Sequence, residues 1–384
     1  MSDLIYLDHA AATPVDPLVL EAMLPYFSEK FYNPSSPYAA GVEVKRDYQA
    51  AKQLIAETLG AQADEFVMTA GATESINIAF SACFGHSLVS AVEHVSVIAA
   101  ARRASEVDLV PVNSKGRIDV ESLKKLLRPH TSFVSVGMVN NELGTVQPIE
   151  EVARLLEEER QRRRSAGESI PLVFHSDASQ APALIDIKVK RLGVDLLTLA
   201  AAKVYGPKQV GLLWVKPGTR LRPTLAGGGQ EGGLRSGTEN VAGVVGFARA
   251  LELANKRRVS EVSRLRRFRD AMGQRLTESV PESVISSDSK KGLASFLHVS
   301  FPGIDAERLV FWLETRGVML ATGSACAANQ GTRSHVLEAV GLSDEAIQGS
   351  LRISLGRLTT EEGCQRATDL IIEAVNSEKT RLSR

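Results

Sequence analysis

Cysteine, net charge and long apolar runs are all scarce in this sequence. Cys83, Cys326 and Cys364 are the three cysteines among 384 residues, widely spaced and with no C-x-x-C pair. That excludes a disulfide framework and a thiolate zinc site, and it fits a reducing cytosol in which a free thiol survives. Forty-five basic residues balance forty-five acidic ones. The zero formal charge argues against direct nucleic-acid binding, which calls for a basic excess. No apolar run nears the roughly 18 residues of a membrane span. Met1–His9 lacks the basic stretch and apolar core of a signal peptide. A cytoplasmic protein without a membrane partner is the expectation.

What is present reads as an ordinary globular chain, 44% hydrophobic and 23% charged, long enough for about two domains. Between residues 50 and 216, apolar runs alternate with helix-like segments. Strands are expected at Glu65–Thr69, Ser87–Ala91, Val107–Val112, Ser132–Val139, Leu172–Ser176, Leu196–Leu199 and Val210–Val215. Several are continuous Val/Leu/Phe runs without polar alternation, as in a parallel sheet covered by helices on both faces. Helix patterns fall at Ala50–Leu59, Ile98–Ser105 and Val120–Leu127, and residues 151–169 form a solvated helix of mixed charge. Residues 225–238 hold six glycines in fourteen and read as a shaped loop before a helix at Val241–Leu253. Then come a charged helix at Lys256–Leu276, strand Phe296–Ser300, helix Asp305–Arg316, strand Ser350–Ser354 and a terminal helix. The expected fold is α/β: a large domain (15–250) with a mostly parallel seven-stranded sheet, and a smaller α+β domain (1–14 and 251–384).

Three groups carry chemistry. Lys203 follows three alanines and a leucine-rich strand, so its ammonium emerges into a confined site where desolvation frees the amine for imine formation. Asp177 ends the preceding strand, where doubly wound folds place ligands, and a carboxylate there keeps a pyridine nitrogen protonated. Cys326 lies among Gly, Ser and Ala, exposed and mobile by composition, whereas Cys83 and Cys364 fall in apolar or helical surroundings and read as buried and inert. Taken singly, the lysine reads as a surface residue and the acid as an Asx turn or a helix cap; their spacing on successive strands overturns that. The turn Ala70–Ser75 suits a phosphate or plain helix capping. His94 suits stacking on an aromatic ring or a structural role, and Asn140–Gly144 suits a ring oxygen or a turn. Together, an imine-forming amine, an acid and a thiol describe pyridoxal-phosphate chemistry on a sulfur amino acid.

The ordered motifs identify a resemblance. They are Tyr6-Leu7-Asp8-His9-Ala10-Ala11-Ala12-Thr13-Pro14, Asn33-Pro34-Ser35, Gly71-Ala72-Thr73-Glu74-Ser75, Glu93-His94, Val139-Asn140-Asn141-Glu142-Leu143-Gly144 and Asp177-Ala178-Ser179-Gln180. Further along stand Lys203-Val204-Tyr205-Gly206-Pro207-Lys208, Arg235-Ser236-Gly237-Thr238, Gly323-Ser324-Ala325-Cys326 and Arg352-Ile353-Ser354-Leu355-Gly356-Arg357. Nearly end to end, the chain resembles the group I cysteine desulfurases, the NifS/IscS branch of the class V aminotransferase-like enzymes with PLP fold type I.

The resemblance implies a homodimer that removes sulfur from L-cysteine, giving L-alanine and a persulfide on Cys326. Lys203 would bind pyridoxal 5'-phosphate and move the Cα proton, Asp177 would pair its ring nitrogen, and His94 would stack on the ring. Gln180 and Asn141 would face the ring's phenolic oxygen, and Ala72 and Thr73 the phosphate, with Thr238 reaching over from the second subunit. Asn33 and Arg352 would grip the substrate carboxylate. No metal is implied beyond a transient iron–sulfur ligand role for Cys326. Acceptors would be an iron–sulfur scaffold protein or a tRNA thiolation factor. A selenocysteine lyase, a small-amino-acid aminotransferase, a non-catalytic binding protein of the same fold and a redox-sensing module using Cys326 stand as alternatives. Two departures from the family stand out. The sequence ends at Arg384, shortly after the last helix, where longer relatives carry a tail that docks the iron–sulfur scaffold protein, so that docking is not implied. The usual Ser-x-His before the lysine is Ala200 and Ala202 here. Losing two phosphate contacts should weaken retention by about 1–3 kcal/mol.

Overall fold

The computed structural model describes residues 4–103, 106–323 and 333–383. Elements in chain order begin with β1 (Ile5–Tyr6), α1 (Pro17–Met23), α2 (Pro25–Ser28), α3 (Ala39–Leu59), β2 (Phe66–Thr69), α4 (Ala72–Ala79), β3 (His86–Ser90), α5 (Val95–Arg102) and β4 (Glu106–Val110). Next come α6 (Val120–Leu126), β5 (Thr131–Ser135), α7 (Ile149–Ser165), β6 (Val173–Asp177), α8 (Val189–Leu192), β7 (Leu196–Ala200), β8 (Gly211–Val215) and α9 (Val241–Ser279). The remainder is β9 (Val284–Ile285), β10 (Phe296–Ser300), α10 (Ala306–Glu314), β11 (Val318–Met319), β12 (Ala321–Thr322), α11 (His335–Ala339), α12 (Asp344–Gln348), β13 (Ser350–Ser354) and α13 (Glu361–Leu382).

Seven strands form one sheet in the order β2-β8-β7-β6-β5-β3-β4. All neighbours are parallel except those of β8, which runs antiparallel to both β2 and β7. β3, β5 and β7 are buried at every residue, which explains why their sequences show no polar alternation. The strand expected at 132–139 ends at Ser135. Beyond it the chain turns through Asn140, whose Oδ1 accepts from the Glu142 and Leu143 amides at 2.9 and 2.7 Å.

A second, four-stranded sheet has the order β12-β13-β10-β9. The two helices expected at 241–253 and 256–276 are one helix, α9, of 39 residues. No glycine or proline interrupts it around Ala254–Lys256, and only its surroundings change. Its first half (Val241–Ala254) packs in the core of the seven-stranded sheet; Leu265, Phe268, Met272 and Leu276 enter a separate core with β10, β13 and α13. The helix therefore runs through the expected domain boundary at 250 and ties the two cores together. The glycine-rich loop is held in shape by Glu231. Its carboxylate meets the Lys52 ammonium at 3.2 Å, the Met68 amide at 2.7 Å and the Tyr48 hydroxyl.

Candidate active site

The carboxyl ends of the parallel strands open into a cavity of about 1470 Å³. This is where an open α/β sheet leaves a crevice for ligands. Asp177, the last residue of β6, and Lys203, just past β7, line it from neighbouring strands, with Asp177 in register with Thr198. Among the described residues both hydrogen bonds to Asp177 fall on Oδ1, from the Ser179 amide at 2.9 Å and hydroxyl at 2.6 Å. Its other oxygen remains for a cationic partner in the cavity.

Lys203 Nζ donates to the carbonyl oxygens of Ala10 and Ala11 at 2.8 and 2.6 Å. Gln180 Nε2 donates to the same Ala10 oxygen at 3.0 Å. The segment after β1 therefore serves as a strap across the cavity, and it also carries Asp8. Arg352, on β13 and 3% exposed, donates from Nη2 to Asp8 Oδ1 at 2.7 Å and from Nη1 to the Asn141 carbonyl at 3.0 Å. Its Nε is buried with no hydrogen-bond partner among the described residues. A buried guanidinium fixed on two sides with a spare donor is prepared for a carboxylate. Asp8 lies outside the cavity lining, so it orients Arg352 from behind.

His94 caps α5. Its Nδ1 accepts from the Ser96 amide at 3.2 Å and lies 2.7 Å from the Ser96 hydroxyl. An amide can only donate, so the neutral ring carries its proton on Nε2. Burial is the main cause lowering its pKa, opposed by Asp177 and reinforced by Lys203. A neutral, oriented imidazole suits stacking and donation better than proton abstraction. Ala72 and Thr73, the first turn of α4, line the far end. β8 closes against them there: a Cβ at Gly211 would sit 2.7 Å from Gly71 Cα, so only glycine fits.

Of the residues expected at the site, the cavity thus brings together Lys203, Asp177, His94, Asn141, Gln180, Ala72, Thr73 and Arg352. Asn33 lies outside it, where its Oδ1 accepts from the Ser35 amide at 2.8 Å. Thr238 is exposed and also outside the lining. Cys326 lies outside the described residues. Cys83, expected to be buried, is half-buried on the cavity wall, and burial raises its thiol pKa.

Sequence reasoning gave no role to Glu93. Fully buried beside the cavity, it is pushed up to about 8, first by burial and then by the charge of Asp177; the Gly137 amide opposes this with a 2.5 Å hydrogen bond. Its only sequence signal is its place before His94. An unfolded glutamate loses its proton near pH 4.5 while the folded one keeps it to about 8. Between these values the folded state binds more protons, so stability falls as pH rises. Glu93→Gln imitates the protonated form and should remove about 3–5 kcal/mol of that decline. Urea unfolding of the cofactor-free protein at pH 5 and pH 8 measures it; an unchanged pH slope would contradict the assignment.

The donor set fits pyridoxal phosphate: an acid for the ring nitrogen, a neutral imidazole for its face, an amine for its aldehyde and a helix start for its phosphate. Comparison with known proteins gives the family. Residues 5–367 match the aminotransferase class-V family. The chain is 39% identical over 377 residues to cysteine desulfurase IscS 1 of Archaeoglobus fulgidus, covering 95% of each. A solved NifS-like protein superposes with a TM-score of 0.88 at 33% identity, covering 97% of this chain and all of the other. The structure of SspA in complex with cysteine superposes with a TM-score of 0.75 at 33% identity, over 91% and 98% of the two chains.

Proposed function

The chain belongs to the class-V aminotransferase family and is a cysteine desulfurase; from that premise we propose how its cavity takes sulfur from L-cysteine with pyridoxal phosphate. The observation that carries the assignment of roles is the convergence of Lys203, Asp177 and Arg352 on one cavity. Arg352 receives the substrate carboxylate, which fixes which face of Cα meets the lysine. The Lys203 amine takes the Cα proton. When bound, pyridoxal phosphate supplies an electron sink for the pair left at Cα, and Asp177 holds the counter-charge that keeps the sink electron-poor. His94 would hold the face of the ring, with its Nε2 proton available to the cavity.

The Cys326 thiolate attacks the substrate sulfur. The new S–S bond forms as the Cβ–S bond breaks, and the organic fragment gains protons to leave as alanine. The persulfide on Cys326 then passes to an acceptor protein, either an iron–sulfur scaffold or a tRNA thiolation factor. A homodimer, with Thr238 reaching the partner's cavity, accounts for the exposed position of that residue.

Incubating purified protein with pyridoxal phosphate, L-cysteine and a dithiol tests this reading. Alanine and sulfide are expected in equal amounts. A 2-oxo acid in place of alanine would point to an aminotransferase, and release from selenocysteine alone to a selenocysteine lyase.

A further inference from the structure

Two positions on the cavity wall beside the lysine carry no polar side chain. Ala200 and Ala202 line it, and Ala201 between them is fully buried. A phosphate placed there meets the α4 amides and the Thr73 hydroxyl, but no side-chain donor from the lysine turn. Glu74, on the same lining, accepts from Arg235 Nε at 3.0 Å, which offsets its charge.

The hairpin between β7 and β8 brings another residue to this wall. Ala200 pairs with Gly211, and the Ala201 amide donates to the Val210 carbonyl at 3.0 Å. One residue before Val210 stands Gln209, on the same cavity lining as Ala202. Gln209 lines the cavity and is exposed, and its carboxamide has no hydrogen-bond partner among the described residues. Its φ is +58°. Only three non-glycine residues have such a backbone among those described. Tyr205, at +64°, sits in the same turn but is held by bonds from its amide to Thr13 Oγ1 (2.8 Å) and from the Arg357 amide to its hydroxyl (2.7 Å). Gln209 has no such tie, so nothing within the described protein accounts for a large polar side chain at a position glycine fills at lower cost.

We propose that Gln209 is a phosphate-binding residue of the cofactor site, its Nε2 donating to the phosphate across the space left open by Ala200 and Ala202. The inference rests on the pyridoxal-phosphate reading above. A neutral amide replaces hydroxyl and imidazole donors from the opposite strand of the hairpin. It hydrogen-bonds the phosphate dianion without adding a titrating group, so retention of the phosphate needs no proton at this position.

Comparing pyridoxal phosphate with pyridoxal tests the proposal, because the two differ only in the group Gln209 would hold. Gln209→Gly should weaken pyridoxal phosphate binding about five- to thirty-fold, the equivalent of one neutral or charge-assisted hydrogen bond. Binding of pyridoxal should change less than about twofold, a loss confined to the phosphate. The melting temperature of the cofactor-free protein should rise, since glycine accepts the positive φ. Gln209→Glu, of the same shape but opposed to the phosphate, should lose more than the glycine variant and serves if the latter folds poorly. Adding Ala202→His to Gln209→Gly should restore the lost affinity. Equal binding of pyridoxal phosphate by wild type and both variants would overturn the proposal, as would equal losses for the two ligands. A wild-type protein that develops no visible absorbance with pyridoxal phosphate would instead overturn the reading on which the proposal stands.

Discussion

Lys203→Ala yields a protein that folds, stays colourless with pyridoxal phosphate and forms no alanine. The expected loss in rate is about 10²–10⁴-fold from the missing proton transfer alone. Losing the covalent link to the cofactor adds to it. Stability should change little. In the structure Nζ donates to the strap carbonyls of Ala10 and Ala11, and the backbone turn is held separately by the Ala201 and Gly206 amides. Absorption spectra with and without the cofactor, beside urea unfolding, separate these effects. A visible band of wild-type intensity in the variant would move the imine to another lysine.

Cys326→Ser gives the opposite dissociation: the visible band remains and alanine formation falls to the level of buffer. A hydroxyl cannot accept sulfur as a thiolate does, because the thiolate is the more nucleophilic and more easily formed anion. The nearest described residues on either side of this cysteine make defined contacts. Upstream, the Gly323 amide donates to the Ser350 carbonyl at 2.7 Å, on the strand that carries Arg352. Downstream, Ser334 Oγ donates to Glu142 at 2.6 Å, and His335 Nε2 lies 2.8 Å from the Glu93 carbonyl. The described residues before and after the thiol are thus anchored on the strand of Arg352 and beside Glu142 and Glu93. Wild-type alanine release by the serine variant, with a thiol acceptor supplied, would remove Cys326 from the reaction.

The sheet was legible because its central strands are buried on both faces and spell that out in Val, Leu and Phe. The continuity of α9 was not: residues 254–264 pass between two cores, and the change of pattern there imitates a helix end. Asp177 and Lys203 were legible as a pair because adjacent parallel strands place their ends side by side. The Asp8–Arg352 contact spans 344 residues, and no local pattern announces it. The elevated pKa of Glu93, and that of Glu142 at about 7, arise from burial, which the sequence does not display. Asn33 and Thr238 were assigned by resemblance alone, and both lie outside the cavity of this single chain.

The most direct measurement is the mass of the peptide bearing Cys326 after brief exposure of the loaded protein to L-cysteine without reductant. The mechanism predicts a gain of one sulfur atom on that cysteine, absent from Cys83 and Cys364 and absent from the Lys203→Ala variant. An unmodified Cys326 in a protein that is meanwhile releasing alanine would contradict it.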